Sequence, residues 1–365
     1  MTSYDEEIKR LEEEISKTKY NKRTQGHIGL VKAKLAKLRE KDEARRSSGK
    51  KGEGYTVRRS GDATVVLLGF PSVGKSTLLN ALTNKESAVG AYAFTTLSVI
   101  PGMLEYKHSK IQILDVPGIL KGASDGSGRG KEVLSVIRNA DMVLMVVDIN
   151  HPEHLETLRD EIHKTNVRIN QQKPDVKIRK TVKNGIRIGK TVKLPDLADE
   201  TIATVLKEFK INNAEVLIRE PIDVDQLIDV IEDNKVYLGC VVALNKADMV
   251  SFERAQEVKS QTRADCIISA EKKQGIRALK DLIFDRLRLI RIYLKEPSKD
   301  PDMNEPLIMK KGSTIKDVCE KLHRDFVSKF KFVRIWGKSS KFPGQKLLKL
   351  GHVVEDEDVL EIHLR

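Results

Sequence analysis

Residues 69–77 have the residue types and spacing of a loop that binds phosphate. Their sequence, GFPSVGKST, matches the pattern G-x-x-x-x-G-K-[ST]. The apolar run 65–68 before the loop is typical of a buried strand, and residues 78–82 after it have the pattern of a helix. Backbone N–H groups of such a loop, together with the positive end of the helix dipole, can surround a pyrophosphate. The segment therefore predicts a nucleotide site.

Two side chains of this loop have distinct predicted roles. Lys75 is expected to reach the β- and γ-phosphates, and the Ser76 hydroxyl is expected to bind Mg²⁺. The remaining predicted contacts of the loop come from Pro71, Ser72, Val73, Gly74 and Thr77.

A second motif, D-x-x-G, follows the alternating segment 111–114. Asp115 is placed to hold Mg²⁺ through a water, and the backbone N–H of Gly118 is placed to contact the γ-phosphate. This segment would therefore sense whether the γ-phosphate is present.

A third motif, N-K-x-D, consists of Asn245, Lys246 and Asp248 and follows the apolar run 241–244. The Asp248 carboxylate can accept hydrogen bonds from N1–H and from the 2-amino group of guanine, whereas adenine has neither donor. A site whose buried polar groups would lose their partners discriminates by about 10⁴ to 10⁵. The motif therefore predicts guanine.

The fourth signal is a second apolar run, 266–268, which ends in Ser269 and Ala270. The Ala270 N–H is predicted to meet the guanine O6. All four motifs occur in the chain order of a GTPase, each at the carboxyl end of a predicted strand, which is the edge where ligands bind in open α/β sheets. The predicted class is therefore α/β, with a P-loop GTPase domain at its centre.

Charge and composition limit the partners. The chain of 365 residues has 66 Lys and Arg against 53 Asp and Glu, a net charge of +13. Such a balance indicates an anionic partner, nucleic acid or membrane. The three cysteines have neither metal-ligand spacing nor an even number, which favours a reducing cytosol. Because no apolar run approaches about 18 residues, no transmembrane helix is expected, and a cytoplasmic location is predicted.

The motifs require several segments to position them. Helical spacing across 4–46, interrupted at 21–26, predicts a helical hairpin, and residues 276–293 are predicted as the last helix of the nucleotide domain. Alternation on both sides of Asn184 and Gly185 predicts a β-hairpin. The predicted segments are an N-terminal helical region with a basic linker (1–60), the GTPase domain (61–167 and 236–295), an inserted α/β domain (168–235) and a β-grasp domain (303–365).

Basic residues are concentrated in the accessory segments. Residues 173–193 hold eight basic and one acidic side chains, and residues 21–60 are similarly basic. Solvated faces and protected edge strands are one interpretation, and contact with RNA phosphates is the other. Trp336, the only tryptophan, is predicted either to pack in a core or to stack on a base.

The whole chain resembles the developmentally regulated GTP-binding proteins, a branch of the Obg-related GTPases. The resemblance rests on the four motifs above with YAFTT at 92–96 and GSGRG at 126–130. The C-terminal segment resembles a TGS domain, a β-grasp module of translation-linked proteins. The resemblance implies GTP or GDP with Mg²⁺ as ligands and association with ribosomes or RNA. Eukaryotic members have a zinc-finger partner protein, whereas no membrane partner is implied and the oligomeric state is not predicted.

The resemblance also implies a first switch at 94–96. Its threonine would close on Mg²⁺ and the γ-phosphate, with Thr96 favoured and Thr95 as the alternative. Together with Lys75 and Gly118, Thr96 completes the predicted catalytic set. The predicted metal ligands are Ser76, Thr96 and Asp115.

Position 119 is where the sequence departs from the usual catalytic pattern. Many GTPases have a water-orienting glutamine there, whereas Ile119 cannot form a hydrogen bond. Slow hydrolysis near the unassisted rates of about 10⁻⁴ to 10⁻² s⁻¹ is therefore predicted. A partner, the ribosome or K⁺ would supply the missing element. Ser72 stands where some Obg-related proteins have a potassium-binding asparagine, so the sequence leaves open whether K⁺ stimulates hydrolysis. Arg129 is a candidate for a catalytic arginine that the chain itself supplies, in cis.

Two other functions compete with a GTPase switch. The chain could be an RNA- or ribosome-binding scaffold in which GTP is mainly structural, a reading that Ile119 favours. It could also be an ATPase, as in one Obg-like branch, but the intact Asn245 and Asp248 argue against this.

Overall fold

The computed structural model describes residues 3–19, 21, 24–47, 60–83, 100–116, 136–164 and 166–365. The helices are α1 (Ser3–Lys17), α2 (Gln25–Ser47), α3 (Lys75–Leu82), α4 (His154–Lys164), α5 (Asp199–Glu208), α6 (Val224–Glu232), α7 (Phe252–Thr262), α8 (Ile276–Arg286), α9 (Ile315–Leu322) and α10 (Arg324–Lys329). Within these residues, no helix has the length and apolar content that crossing a membrane requires.

The strands divide between two compact units. They are β1 (Ala63–Leu68), β2 (Ile100–Tyr106), β3 (Ser109–Asp115), β4 (Met142–Asp148), β5 (Val167–Ile169), β6 (Val176–Lys180), β7 (Ile186–Lys190), β8 (Ala214–Ile218), β9 (Val236–Asn245), β10 (Cys266–Ile267), β11 (Leu289–Leu294), β12 (Leu307–Lys310), β13 (Phe330–Trp336), β14 (Gln345–Leu347) and β15 (Val359–Leu364). One unit comprises the described residues of Met1–Gly54 and Asn166–Tyr237. The other comprises those of Tyr55–Thr165 and Leu238–Arg365.

The sheet of the GTPase domain has the strand order β10-β9-β4-β1-β3-β2. These six strands are parallel except β2, which is antiparallel to β3. Every residue of β1 and β4 is buried, and this explains why both read as continuous apolar runs rather than alternating ones. Because the strands are parallel, Leu68, Asp115, Asp148 and Asn245 end at one edge of the sheet.

A second sheet in the same unit forms the C-terminal domain, in the order β12-β11-β15-β13-β14. Helix α9 packs on it through Ile315 and Val318, and begins with a reciprocal capping box between Thr314 and Asp317. The sequence predicted a helix to residue 293, and this was wrong. Helix α8 ends at Arg286, and residues 289–294 form β11 of the C-terminal sheet. The C-terminal domain therefore begins earlier than the predicted residue 303.

The C-terminal domain docks on the GTPase domain within this unit. Ile308 of β12 packs into the core beneath the GTPase sheet. Lys310 Nζ lies 2.6 Å from Asp141 Oδ1, and Lys321 Nζ lies 3.6 Å from Asp62 Oδ1. Both aspartates immediately precede a strand, so this contact is at the edge opposite the carboxyl ends of β1 and β4.

In the other unit, the N-terminal helices pack on the inserted segment. Ala33 of α2 lies in the same apolar core as the buried faces of α5 and α6. The Lys32 ammonium is 2.6 Å from the Asp225 carboxylate, and Lys37 donates to Glu208 at 2.9 Å. The sequence predicted the N-terminal region and the insertion as separate segments, whereas the structure combines them in one compact unit.

The predicted β-hairpin around Asn184 and Gly185 was wrong in its pairing. Both residues have positive φ, +84° and +68°, and form the expected turn between β6 and β7. These strands are not neighbours, however, because β8 lies between them, antiparallel to β6 and parallel to β7. Strand β8 has the most buried residues of the three, and so takes the central position, while the basic strands take the edges.

Buried polar bonds join the two ends of the insertion. The Arg168 guanidinium donates to both oxygens of Asp229, at 2.6 and 2.7 Å. The Lys235 ammonium donates to Asn166 Oδ1 at 2.6 Å. Bidentate geometry of this kind fixes orientation as well as distance, so the chain enters and leaves the insertion through adjacent, fixed segments.

The three cysteines are free and buried. Burial, reinforced by Asp265, raises the pKa of Cys240 and of Cys266 to about 12. Both side chains are therefore unreactive core thiols near neutral pH.

Candidate functional site

The phosphate loop connects β1 to α3 at the carboxyl edge of the GTPase sheet. Ser72 and Gly74 both have left-handed φ, +63° and +91°. Lys75 is buried, and its Nζ donates to the carbonyl oxygens of Gly69 at 2.9 Å and of Phe70 at 3.0 Å. The loop thus closes around the ammonium group. Among the described residues no side chain caps α3, so its N-terminal N–H groups provide the donors that an anion needs.

The Lys75 ammonium is held in a desolvated position. Burial lowers its pKa, while the nearby Asp115 carboxylate acts in the opposite direction. Buried cations are stabilised by an opposite charge. A bound polyphosphate would supply that charge.

Asp115 and Ser76 form the oxygen-rich part of the site. The Ser76 hydroxyl donates to Asp115 Oδ2 at 2.8 Å. Asp115 is 2% exposed, and its Oδ1 has no hydrogen-bond partner among the residues that the structure describes. Unpaired buried carboxylate oxygens are rare because they are costly. A hydroxyl beside a carboxylate is a donor set that Mg²⁺ prefers, so these residues fit the ion.

Asn245 connects the phosphate loop to the segment that follows β10 and contains Ala270. Its Nδ2 donates to the carbonyl oxygen of Val73 at 2.8 Å, and its Oδ1 accepts from the N–H of Ala270 at 2.9 Å. A Cβ at Gly74 would lie 2.5 Å from Asn245 Nδ2, so only glycine permits this approach. Three segments distant in sequence are thereby fixed relative to one another.

The bond to Ala270 differs from the sequence-based prediction, which assigned this N–H to guanine O6. In the structure the N–H is already satisfied by Asn245 Oδ1. Proximity explains the difference, because β9 and β10 are adjacent strands and the Asn245 amide follows β9 directly.

Asp248, the carboxylate predicted to read the base, is exposed and is held by a hydrogen bond. Asp248 lies in a 3₁₀ turn, Ala247–Met249, after β9. A hydrogen bond from the Ser269 hydroxyl is the main reason that the pKa of Asp248 is lowered. Ser269 itself is fully buried, and its Oγ accepts the Lys272 N–H at 3.1 Å. Asp248 is therefore ionised and ready to accept hydrogen bonds at neutral pH.

Sequence reasoning did not assign a role to Asp148 at this site. The Lys246 ammonium lies 2.7 Å from Asp148 Oδ2, and Asn150 donates to Oδ1 from its N–H at 2.9 Å. Asp148 pairs in register with Asn245 on the neighbouring strand. The signal was present, since an acidic residue ends a fully apolar run at this edge. Asp148 therefore forms an ion pair with Lys246, a residue whose backbone is left-handed, φ +66°.

Replacing Asp148 with asparagine is expected to destabilise the protein in a pH-dependent way. Burial alone would raise the pKa of Asp148, but the hydrogen bonds from Lys246 and Asn150 outweigh it and lower the pKa. A lowered folded-state pKa contributes stability above the unfolded value of about 3.9, and this stability is lost as pH falls through the folded value. The loss at pH 7 should be about 1 to 2 kcal/mol, because Lys246 is partly exposed.

Urea unfolding of wild type and Asp148→Asn at neutral pH and below pH 4 measures this effect. Lys246→Gln and the double variant complete a cycle that isolates the pair. The difference between wild type and Asp148→Asn should shrink in acid. An equal difference at both pH values would show that the ion pair is not its source.

The structure brings together most predicted site residues and leaves a few outside its description. Pro71, Ser72 and Thr77 are exposed on the loop and the first turn of α3, and Val73 is buried beneath them. Predicted residues beyond the described ranges are Thr95, Thr96, Gly118, Ile119 and Arg129, together with segments 92–96 and 126–130.

Three family models match successive parts of the chain. A model described as a 50S ribosome-binding GTPase matches residues 64–180, the C-terminal region of the same domain matches 183–289, and the TGS domain matches 290–364. The start of the TGS match agrees with the position of β11. The predicted fold class, a P-loop GTPase domain with a C-terminal TGS domain, is confirmed.

Similar proteins occur in archaea and eukaryotes. A protein of Methanocaldococcus jannaschii described as an uncharacterized GTP-binding protein is 50% identical, covering 99% of this chain and 93% of its own length. The developmentally-regulated GTP-binding protein 2 homolog of Dictyostelium discoideum is 41% identical, and developmentally-regulated GTP-binding protein 2 of Homo sapiens is 40% identical, each covering 98% of both chains. With this identity over nearly the whole length, the chain is a GTP-binding GTPase that belongs to the family of developmentally regulated GTP-binding proteins.

Proposed function

We propose that this GTPase is a slow, Mg²⁺-dependent molecular switch in the cytoplasm that works on ribosomes or RNA. The observation that carries the proposal is the pair of hydrogen bonds that the Asn245 side chain forms with the backbone of Val73 and of Ala270. This pair joins the phosphate loop to the base-reading segment. Binding of a ligand to one segment would therefore change the position of the other. A switch needs this kind of coupling between nucleotide and protein conformation.

Hydrolysis would proceed by in-line attack of water on the γ-phosphate, with charge spread over the transferring group. Lys75 supplies the positive charge. Its ammonium already points into the loop, held by the Gly69 and Phe70 carbonyls, so little reorganisation is needed when phosphate binds. The loop N–H groups and the end of α3 orient the phosphates.

The proposed metal site uses Ser76 and Asp115. When bound, Mg²⁺ supplies charge neutralisation on the β- and γ-phosphates. The unpaired Asp115 Oδ1 and the Ser76 hydroxyl are the groups that would hold it. Thr96 is proposed as the further ligand from the first switch, with Thr95 as the alternative.

A low intrinsic rate is proposed because the residue after D-x-x-G is Ile119. An isoleucine cannot orient water, so an activating partner, the ribosome or K⁺ has to complete the site. Ser72 occupies the loop position relevant to K⁺. It is exposed and left-handed in φ, and its hydroxyl oxygen is a possible ligand for the ion.

Ribosome association is supported by two independent features. The chain has a net charge of +13, which suits an RNA partner. One matched family model is described as a ribosome-binding GTPase. A zinc-finger partner protein, implied by the resemblance to eukaryotic members, is a further candidate activator.

A scaffold is the second candidate function, and Ile119 favours it. In this case the chain would bind RNA or ribosomes constitutively, and GTP would mainly stabilise the fold. Binding of a ligand to the folded state alone stabilises that state by mass action.

GTP hydrolysis in NaCl and KCl, with and without ribosomes and with ATP as control, distinguishes the two functions. Stimulation by ribosomes or K⁺ is expected for the switch. Ser72→Asn is the matched variant, since it restores the asparagine of potassium-using relatives and should increase K⁺ stimulation. Tight GTP binding with equally slow turnover under every condition would overturn the switch and favour the scaffold.

A further inference from the structure

In the inserted domain, the described part of the chain covers one face of the sheet and leaves the other exposed. Alternate residues of β6, β7 and β8 point into the core shared with α5 and α6. They are Val176, Ile178, Ile186, Ile188, Ala214, Val216 and Ile218. Because side chains alternate along a strand, the intervening residues lie on the opposite, open face.

The open face carries its positive charge on the two edge strands. Lys177 and Arg179 lie on β6, and Arg187 lies on β7. Strand register places Glu215 of β8 between Arg179 and Arg187, and Leu217 opposite Lys177. Strands are about 4.8 Å apart, so the cations of the two edges are about 10 Å apart across the face. We call this surface, Lys177, Arg179, Arg187, Glu215 and Leu217, the open sheet face.

Most of these cations have no carboxylate partner. Among the residues that the structure describes, no ion pair involves Lys177 or Arg187, and Arg179 reaches Glu215 only at 4.0 Å. Basic residues on the periphery of the same domain behave differently. Lys190 pairs with Asp199 at 2.6 Å, and Lys173 with Asp233 at 2.7 Å. Positive charge is therefore left unneutralised on the open sheet face itself.

The chemistry of the face limits its partner. Residues 173–193 and 213–219 contain no Phe, Tyr or Trp, so nothing on the face can stack on an exposed base. Protein interfaces need an apolar core, often with aromatic anchors, whereas the open sheet face offers only the half-buried Leu217. What remains is an array of separated cations on a rigid sheet, which suits regularly spaced anionic groups.

We propose that the open sheet face binds the phosphate backbone of folded, double-stranded RNA. The inference rests on the proposed ribosome association and deepens it by naming a surface and a mode of recognition. Cations that meet phosphates without contacting bases position a protein but do not read sequence. Double-helical RNA is recognised mainly by shape and by backbone contacts. Binding is thus independent of sequence and strongly dependent on salt.

The double variant Lys177→Gln, Arg187→Gln of the full chain tests the proposal. Binding to a labelled RNA duplex of mixed sequence is followed by fluorescence anisotropy between about 50 and 200 mM KCl. Each phosphate contact contributes about 0.7 to 0.9 to the slope of log affinity against log salt. The variant should lose about 10- to 50-fold in affinity and lower the slope by about 1.4 to 1.8, which is twice the contribution of one contact.

Lys207→Gln, Lys210→Gln is the matched control. Both lysines are exposed at the end of α5, on the helical side of the same domain, and no ion pair involves them in the described structure. This control removes the same charge, so its affinity should stay within about twofold of wild type. Unchanged unfolding midpoints and GTP affinity of both double variants show that fold and nucleotide site are intact.

The outcomes separate this inference from the proposed function. If both double variants lost RNA affinity equally, the loss would come from net charge alone. The proposal that the open sheet face binds RNA would then be wrong. If Lys177→Gln, Arg187→Gln bound RNA as tightly as wild type, the open sheet face would not be the binding surface. Ribosome association would be unaffected by this result. If the wild-type protein bound neither RNA nor ribosomes, both the proposed ribosome association and the proposed RNA binding by the open sheet face would be wrong. Preference for a single-stranded RNA, or for vesicles of anionic lipid over duplex RNA, would overturn the proposed partner.

Discussion

Replacing Asp248 with asparagine is expected to move nucleotide preference from GTP to xanthosine triphosphate. The carboxylate is predicted to accept two hydrogen bonds from guanine, and an amide would place a donor against one of them. Xanthine has a carbonyl where guanine has its 2-amino group, so it is the complementary base. Preference for GTP should fall by about 10² to 10⁴, because each of two hydrogen bonds to a charged group contributes about 1.5 to 3 kcal/mol.

The structure explains why this side chain can carry so large an effect. Ser269 is fully buried and donates to Asp248, fixing the carboxylate before the base arrives. Preorganised hydrogen-bonding groups lose little entropy on binding. Affinities for GTP and xanthosine triphosphate, measured by competition with a labelled nucleotide, give the change directly.

Glu253→Gln serves as the control for the specificity change. Glu253 is an exposed carboxylate in the first turn of α7, close in sequence to Asp248. The same loss of charge there should leave the preference for GTP unaltered. If Asp248→Asn retained the wild-type preference, another group would have to read the base.

Replacing Asn245 with alanine is expected to cost about 2 to 6 kcal/mol of unfolding free energy. The change leaves the Val73 carbonyl and the Ala270 N–H without partners, and both residues are buried. Each unsatisfied buried backbone group costs about 1 to 3 kcal/mol. GTP affinity should fall together with stability, because the phosphate loop loses its connection to the base-reading segment.

Guanidinium unfolding of the nucleotide-free chain measures the cost, and Asn150→Ala is the matched truncation. Asn150 is exposed, and its side chain makes one bond, of 3.1 Å, to Asp148. This control should cost less than about 1 kcal/mol. Comparable losses in the two variants would mean that the Asn245 bridge does not hold the site together.

Much of the candidate site could be predicted because its motifs are local. The loop 69–77, Asp115 and the N-K-x-D segment each combine residue type with an adjacent apolar strand. Parallel strands bring their carboxyl ends to one edge, so the order of motifs along the chain was enough to predict that they meet. The capped helix α9 was predictable for a similar reason, since Thr314 and Asp317 are only three residues apart.

Pairing between distant segments was not predictable in the same way. The alternation of β6 and β7 around a turn indicated a hairpin, yet β8 enters from more than 20 residues later and separates them. Residues 289–294 follow α8 so closely that they extend its apolar pattern, but they pair with β12 and β15. Local patterns report burial and propensity, whereas partners are chosen by packing of the whole chain.

Residue types and short spacings were enough to predict the guanine nucleotide, the GTPase class and the basic charge of the accessory segments. Three features became visible only in the folded chain: Asn245 bridges Val73 and Ala270, Asp148 pairs with Lys246, and the basic edges of the insertion share one open face. These features join residues far apart in sequence. Their geometry exists only once the intervening chain has folded and the apolar strands have taken the central positions of their sheets.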